Sequence, residues 1–316
     1  MTTIHARPHE SDRKQPPPEL SGRIRQRRRS RRHLVPYYFL APSLVVIGFF
    51  VLWPMVRSLF LSLTDSSIIG DFDFIGIENY VRLISDPAFG NALVNTLVYV
   101  VFATPISVAL ALVLAVLLNR ALPARTFFRA VIFFPFVISF SIIAIAWAFM
   151  LDPQVGIINY WLNSIGVRTG NGIGDPQWAM VYVIAVGIWR NVGFFMVMFL
   201  AGLQTVPREL YEASSIDGAT PFQQFRSVTW PLISNTTMFV VVIASIFSFQ
   251  AFDHIYVMTN GGPFFKTETL VMLIYRAGFE NFQMGYASAM SWVLVLIVLS
   301  LSLIQTWYFN RKAVTY

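Results

Sequence analysis

Apolar residues along this chain gather in long runs that polar connections separate. A helix needs about 20 mostly apolar residues to cross the hydrocarbon core of a membrane. Six runs reach that length, and they cover 37–63, 92–118, 127–150, 178–203, 234–254 and 286–309. The pattern therefore predicts an all-α, polytopic membrane protein with six transmembrane helices.

The composition supports this prediction. Hydrophobic residues make up 56% of the 316 residues, charged residues make up only 12%, and the mean hydropathy is +0.60. A soluble domain would carry roughly twice that share of charged residues, so the soluble class is excluded. The chain has no cysteine, which excludes disulfides, thiolate metal sites and cysteine nucleophiles.

Basic residues are concentrated at the start of the chain. Residues 1–33 hold ten Lys or Arg and three acids, which accounts for the whole net charge of +7. So polar a segment cannot bury enough apolar surface to fold, and we predict that 1–36 is a disordered, basic cytoplasmic tail. A basic run directly before the first apolar segment is typical of a topogenic signal, with RNA or lipid recognition as the alternatives.

Charges in the loops predict the orientation in the membrane. With the N-terminus inside, seventeen basic residues lie in the inside segments, which are 1–36, 119–126 with the adjoining Arg129, 204–233 and 310–316. Only four basic residues, against nine acids, lie in the outside segments, which are about 64–91, 151–177 and 255–285. Because cytoplasmic loops carry an excess of Lys and Arg, both termini are predicted to be cytoplasmic, including the C-terminal residues 311–316.

One inside loop, 204–233, is unusual because it contains acids. Glu209, Glu212 and Asp217 lie there, on the side where loops are otherwise basic. The loop reads as a short helix carrying Glu212, a turn at Gly218 and a second helical run. Acids exposed to the cytoplasm are expected where a basic partner docks, so we predict that this loop is a docking site.

Polar side chains at membrane depth are costly, and they mark either a packed interior or a solute route. The candidates for a solute route are Arg190 and Asn191 in the fourth run, Ser248, Gln250 and Asp253 in the fifth, and Asn95 in the second. Aromatic residues between them suit sugars, whose C–H faces stack on rings while their hydroxyls need hydrogen-bond partners. Two alternatives stay open. Ser and Thr commonly form helix–helix contacts in membranes, and Arg190 could form a structural ion pair or cap a carbonyl.

The sequence offers little for catalysis. Three of the four histidines lie in the basic tail and the fourth is His254, so no pair has metal-ligand spacing, and no Gly-rich phosphate loop occurs. The paired carboxylates Asp71 and Asp73 are expected to lie in a solvated loop rather than in a catalytic site. We therefore expect neither a catalytic site, a cofactor site nor a metal site in this chain.

Two blocks of sequence resemble those of a known family. Residues 212–219, followed by Phe225, Val228 and Pro231-Leu232, resemble the EAA loop of bacterial ABC-importer permeases, with Ser214 in place of the second alanine and Trp230 in place of the leucine before proline. Residues 252–263, which end in Gly-Gly-Pro, are similar to the carbohydrate-uptake branch of that family, to its maltose-permease F-type and glycerol-3-phosphate-permease A-type subunits. The resemblance covers about residues 37–310, the expected permease domain.

The resemblance implies a type I importer permease fold in the bacterial cytoplasmic (plasma) membrane. It implies a non-catalytic subunit without a cofactor of its own, because ATP and Mg²⁺ bind to a partner ATPase. The implied partners are a second homologous permease, a cytoplasmic ATPase dimer, an extracytoplasmic solute-binding protein and membrane lipid, and no nucleic acid. The implied ATPase-coupling residues are Glu212 as an ion-pair partner, Ala213 as a small contact surface, Gly218 as the bend, and Ser214, Asp217 and Ala219.

The expected function is ATP-driven import of a sugar or an oligosaccharide, such as a disaccharide. Import of glycerol-3-phosphate or a glycerophosphodiester is the alternative substrate class. An ion-coupled secondary transporter is an alternative of another energy class, and only Asp253 comes close to the intramembrane acid that it would need. An integral-membrane enzyme is a further alternative, for which the sequence shows no acidic or metal-binding loop.

Overall fold

The computed structural model describes residues 38–67, 73–120, 123–166 and 171–311. The predicted basic tail 1–36, Asp71 of the predicted solvated loop and the C-terminal residues 312–316 lie outside the described residues. The chain divides into two compact units, residues 1–58 and residues 59–316.

The described part of the first unit is helical. Its helix belongs to an apolar segment, Tyr38–Leu61, that is long enough to cross a membrane. The helix widens to a π-helical turn over Gly48–Leu52, directly before Pro54. Because proline has no N–H, it cannot donate to the carbonyl four residues earlier, and the irregular turn occurs where that bond is missing.

Long helices dominate the described residues. Five are long and apolar enough to cross a membrane, and a sixth candidate is a pair of shorter helices bent by 95°. We number them in chain order as span 1 (Tyr38–Leu61), span 2 (Pro87–Asn119), span 3 (Arg125–Val137 and Phe140–Met150), span 4 (Ala179–Gln204), span 5 (Ser234–Met258) and span 6 (Met284–Asn310).

Short elements form the connections. Two strands, β1 (Thr64–Asp65) and β2 (Asp73–Phe74), pair antiparallel, with Thr64 opposite Phe74 and Asp65 opposite Asp73. The other connecting elements are the helices Glu78–Ser85, Ile157–Ser164, Arg208–Ile216, Pro221–Gln224, Trp230–Leu232 and Leu270–Tyr275, the 3-10 turn Gly172–Gly174, and the π-helical turns Phe225–Thr229 and Arg276–Glu280.

Span 3 differs from the straight run that the sequence predicts over 127–150. Its two halves meet at Ile138 and Ser139, whose ψ angles of 145° and 129° are extended and end the first helix. Pro135 lies inside the first half and removes one of its backbone hydrogen bonds. The break at Ile138 lies three residues after this proline.

Two other spans have boundaries that local chemistry explains. Span 2 begins at Pro87, five residues before the predicted start, because the Asp86 side chain caps it by accepting a hydrogen bond from the Ala88 N–H at 2.9 Å. Proline suits the first turn of a helix, where its missing N–H would have no partner. Span 5 is interrupted between Phe249 and Asp253 and then continues to Met258, beyond its predicted end.

The main core lies where span 2 packs against span 4. Span 2 buries small residues at four-residue intervals, among them Ser107, Ala111 and Ala115. The two alanines belong to one buried cluster with large side chains of span 4, including Phe195 and Phe199. Small residues on one face allow close helix packing in a membrane, so this stripe explains why spans 2 and 4 form the centre of the bundle.

Two of the predicted outside segments meet at one end of the bundle. The Asn95 side chain, near the start of span 2, donates hydrogen bonds to the carbonyls of Phe265 at 2.8 Å and Glu268 at 3.0 Å. The Leu270 N–H donates to the Thr96 hydroxyl at 2.8 Å. Asn91, the last residue of the segment 64–91, also donates to the Phe265 carbonyl at 3.0 Å. The segments 64–91 and 255–285 therefore share one end, and the assignment of that end to the outside stays a prediction from the loop charges.

Candidate functional site

A cleft of about 150 Å³ lies among spans 2 to 5. Four of the six residues predicted for a solute route line it, namely Arg190, Asn191, Gln250 and Asp253. The rest of its lining is mostly aromatic and comprises Tyr99, Phe140, Phe247, Phe252 and His254, with Ala251. The fold therefore gathers polar side chains from spans 4 and 5 beside rings contributed by spans 2, 3 and 5.

Arg190 contacts both halves of span 3 while it lines the cleft. Its Nη2 donates a long hydrogen bond of 3.4 Å to the Phe136 carbonyl, in the last turn of the first half. Its guanidinium lies 4.9 Å from the Phe136 ring centroid and 4.4 Å from that of Phe140. A cation is favourable at a helix C-terminus, where carbonyls lack partners. Of the alternatives predicted for Arg190, carbonyl capping is therefore observed, together with a place in the cleft wall.

Tyr99, Phe140 and His254 form a stack of rings in the wall of the cleft. The His254 ring stacks on Phe140 with centroids 4.3 Å apart and planes at 11°, so Phe140 contacts both His254 and Arg190. His254 Nε2 is within hydrogen-bonding distance of the Tyr99 hydroxyl, at 3.2 Å. Gly187 leaves room for this pair, because a Cβ there would lie 3.2 Å from Tyr99 Cζ and nearer still to the hydroxyl.

Sequence reasoning missed Tyr99, Phe140 and His254 as parts of this site. Tyr99 had a usable signal, since it follows Asn95 by four residues and so shares its helix face. Phe140 had none, because it lies directly after the break in span 3. His254 follows the predicted Asp253, but its contacts with Tyr99 and Phe140 are distant in sequence.

The cleft carries one positive and one negative charge. Arg190 and Asp253 both line it, but among the described residues the only ion pairs within 4 Å are those of Arg276 with Glu268 and Glu280. Asp253 opens the helix Asp253–Met258, where an acid is favourable. The cleft therefore presents separate charges of opposite sign, the amides of Asn191 and Gln250, and aromatic faces. In the described part of the chain, no group of three or more His, Asp or Glu could hold a metal ion.

The remaining two predicted residues lie away from the cleft. Ser248 is buried and accepts a hydrogen bond from the Thr104 hydroxyl at 2.9 Å, which joins span 5 to span 2. Asn95 holds the carbonyls of Phe265 and Glu268. Both side chains thus have structural partners, and the structure does not bring them to the cleft wall.

The acidic loop forms a second candidate site. A helix covers Arg208–Ile216, and Gly218 then adopts a left-handed φ of +76° with no atom within 4 Å of where a Cβ would lie, so the chain turns in open space. Thr220 and Gln223 form a capping box that starts the second helical run at Pro221. Of the six predicted coupling residues, Glu212, Ala213, Asp217 and Gly218 are exposed, while Ser214 and Ala219 are half-buried.

Side-chain hydrogen bonds tie this loop into one piece. The hydroxyls of Tyr211 and Thr229 are 2.9 Å apart, and Gln224 Nε2 donates to the Ser215 hydroxyl at 2.8 Å. Beside the exposed acids, Ile216 is 86% exposed and Phe222 is 72% exposed. Exposed apolar side chains rimmed by charges mark a surface for a partner protein.

Comparison with known proteins identifies the family of this chain. The family model for the binding-protein-dependent transport system inner membrane component matches residues 87–314. The chain is 38% identical over 282 residues to the probable ABC transporter permease protein YurN of Bacillus subtilis strain 168, covering 88% of this chain and 96% of that protein. It is 32% identical over 281 residues to the sn-glycerol-3-phosphate transport system permease protein UgpA of Agrobacterium fabrum strain C58, covering 88% and 96%.

Solved structures show a similar fold. One chain in the crystal structure of a bacterial ABC transporter involved in the import of the acidic polysaccharide alginate matches with a TM-score of 0.80 and 23% identity, over 91% of this chain and 99% of that one. A chain of the alginate transporter in complex with an alginate pentasaccharide-bound periplasmic protein matches with a TM-score of 0.79 and 23% identity, over 90% and 97%. The fold of the chain therefore matches that of an ABC importer permease.

Proposed function

The chain belongs to the family of binding-protein-dependent transport system inner membrane components, and we propose that it carries a neutral sugar or oligosaccharide through an ATP-driven importer. As a family member it is a multi-pass, non-catalytic permease of the inner membrane, and the family has no cofactor of its own. Membership of this family excludes the two alternative functions that the sequence left open, an ion-coupled transporter and a membrane enzyme.

The charge balance of the cleft carries the proposal for a neutral solute. Arg190 and Asp253 line the same small space. At about 4 Å and an effective dielectric constant near 20, a unit charge interacts with each of them by about 4 kcal/mol, with opposite signs. Any attraction of an anion to Arg190 is therefore offset by Asp253. The hydroxyls of a sugar can use both charged groups and both amides, and its C–H faces can stack on the rings.

Import of glycerol-3-phosphate is the second candidate. The observation that favours it is the 32% identity to a glycerol-3-phosphate permease protein. A phosphate group would need fixed positive charge near its route, and the carboxylate of Asp253 lines the same cleft as the guanidinium of Arg190.

Uptake by a reconstituted complex separates the two candidates. The complex is placed in proteoliposomes with its binding protein and supplied with labelled maltose, maltotriose or glycerol-3-phosphate. We expect ATP-driven uptake of a saccharide, and we expect Asp253→Asn, which leaves a net positive cleft, to lower saccharide uptake while favouring the anion. Uptake of glycerol-3-phosphate alone by the native complex would contradict the proposal.

The acidic loop is proposed as the coupling element. In this proposal Glu212 forms an ion pair with a basic residue of a cytoplasmic ATPase dimer, while Ala213, Ser214 and Ala219 supply a small contact surface, and Asp217 and Gly218 end the helix. A second homologous permease and an extracytoplasmic solute-binding protein complete the complex within membrane lipid. The hydrogen bonds of Tyr211 and Gln224 support a rigid lever that moves the spans between two states when nucleotide binds.

Charge reversal in the loop tests the coupling. Glu212→Lys and Gly218→Pro are expected to abolish ATP-driven uptake and the stimulation of ATP hydrolysis by loaded binding protein. Glu78→Lys is the matched control, because Glu78 is also an exposed acid on a short helix, at the other end of the bundle. If both loop variants matched this control, the lever would be excluded.

A further inference from the structure

A row of four aromatic rings leads from an exposed surface to the cleft. Phe279 and Tyr275 have ring centroids 5.4 Å apart with planes at 29°. Tyr275 in turn lies 5.4 Å from Tyr256 and 5.2 Å from Phe252, and the rings of Phe252 and Tyr256 are stacked at 5.4 Å. Phe252 also lines the cleft beside Gln250 and Asp253, so the row ends at the polar site.

Every ring of the row is at least partly exposed. Phe279 is 60% exposed and Tyr256 is 38% exposed, while Tyr275 and Phe252 are half-buried. Rings that served only as a core would be buried, as Phe195, Phe199 and Phe249 are elsewhere in the bundle. The row therefore offers partly exposed aromatic rings, in contact with one another, between the connection that follows span 5 and the cleft.

Polar groups accompany the rings. The two tyrosines place hydroxyls next to each other, and a hydrogen bond to Tyr256 raises the pKa of Tyr275. A sugar needs both kinds of contact, since its C–H faces pack on aromatic rings while its hydroxyls require hydrogen-bond partners. Apolar solutes would gain nothing from the hydroxyls, and anions would gain nothing from the faces of the rings.

The fixed part of the row is held by the loop that follows span 5. Arg276, next to Tyr275, forms an ion pair with the buried Glu268 and lies 3.5 Å from Glu280. The hydroxyls of Thr259 and Thr267 are 2.7 Å apart within the same loop. The rings of Tyr275 and Phe279 are thus attached to a braced segment, which keeps their spacing to span 5.

We propose that a saccharide passes along a stacking track from the end of the bundle that carries the connection between spans 5 and 6 to the cleft. The track is formed by Phe252, Tyr256, Tyr275 and Phe279. The track rests on the proposed function, because it requires a saccharide as the solute. Neighbouring rings are close enough for a sugar ring to contact the next one before it leaves the last. Each step therefore exchanges one stacking contact for another, and no position along the row holds the sugar so firmly that it stops.

A tryptophan placed on the track reports saccharide binding directly. The complex carrying Phe279→Trp is assembled in lipid nanodiscs and titrated with maltotriose and with raffinose, and the emission of the native complex is subtracted. We expect a saturable change in the emission of Trp at this position. Phe264→Trp is the matched control, because Phe264 is 82% exposed in the same loop but belongs to no ring contact of the row.

A second substitution tests whether the rings act together. Tyr275→Leu in the Phe279→Trp background removes the neighbouring ring and should weaken the apparent affinity by about threefold to tenfold, the range expected from one aromatic contact. Glycerol-3-phosphate should give no response. The track would be overturned by an equal response in the Phe264→Trp control, by no saturable response, by an affinity that Tyr275→Leu leaves unchanged, or by a response to glycerol-3-phosphate alone.

The titration is independent of energy coupling. It uses neither ATP nor the loop 204–233, so a failed titration alongside the expected loss of coupling in Glu212→Lys overturns the track alone. Intact coupling in the loop variants would instead overturn the lever and leave a positive titration standing.

Discussion

Replacing Gly193 by alanine would test whether the contact between span 4 and span 3 sets the shape of the cleft. A Cβ at Gly193 would lie 2.8 Å from the carbonyl carbon of Ile132 and 2.8 Å from Cα of Phe133, and nearer still to the Ile132 carbonyl oxygen. These are backbone atoms, which cannot rotate aside as the end of a flexible side chain can. Because ordinary contacts begin at 3.4 Å, the Ile132 carbonyl oxygen, which is the nearest atom, requires the two helices to separate by about 1 Å.

That separation reaches the cleft through Arg190, one turn earlier in span 4. Its hydrogen bond to the Phe136 carbonyl is already 3.4 Å long, and a further shift of about 1 Å would exceed hydrogen-bonding range. Overpacking of this kind typically costs about 1–3 kcal/mol. We therefore expect Gly193→Ala to lower the free energy of unfolding by that amount and to reduce uptake by the assembled importer.

The measurements are unfolding in mixed micelles and ATP-driven uptake in proteoliposomes. Gly90→Ala is the matched control, because Gly90 lies in the helix of span 2, is exposed and has no atom within 4 Å of a Cβ position. Alanine should stabilise that helix by about 0.5–1 kcal/mol. If Gly193→Ala were as stable and as active as Gly90→Ala, the packing of span 4 would not control the cleft.

Two further predictions concern the loops. Burial raises the pKa of Glu268 while Arg276 beside it acts in the opposite direction. Glu268→Gln leaves Arg276 without its buried partner and should cost about 1–3 kcal/mol of stability, whereas Glu280→Gln, on the exposed side of the same arginine, should cost less than about 1 kcal/mol. Equal losses in the free energy of unfolding would contradict the greater importance of the buried ion pair. Hydrogen bonds from the Val155 and Gln154 N–H groups hold the pKa of Asp152 below its usual 3.8, so this turn is stabilised above that value and loses the contribution as the pH falls through the lowered pKa. The protection of the amides of residues 154 and 155, measured as their exchange rate relative to that of an unstructured peptide at the same pH, should fall in acid in the native chain but not in Asp152→Asn.

Much of the fold follows from one local rule. Runs of about 20 apolar residues predict the spans, and the structure has a long helix or the bent pair at each predicted run. The ends differ where a local signal outweighs hydropathy. Asp86 and Pro87 start span 2 inside a polar stretch, for example. Helix capping acts through individual atoms, so a window of averaged hydropathy does not register it.

The candidate cleft could be predicted only in part, because the sequence does not determine how each span is rotated about its own axis. Polar side chains at membrane depth select Arg190, Asn191, Gln250 and Asp253, which line one cleft, but the same rule also selects Ser248 and Asn95, which lie away from it. Whether such a side chain faces a cleft or another helix depends on the rotation of its span about its axis. A single sequence does not determine that rotation when small residues occur on several faces, as they do in span 5.

Arg190 joins the two features that the sequence did not reveal, the break in span 3 and the aromatic wall of the cleft. Its hydrogen bond holds Phe136 before the break, and its guanidinium covers Phe140 after it. Phe140 in turn packs on His254 of span 5. A change in the angle between the halves of span 3 must therefore move a wall of the cleft, because the same side chains fix both. In an importer whose spans alternate between two states, this linkage would make the bend in span 3 a part of the site, rather than a feature of the scaffold around it.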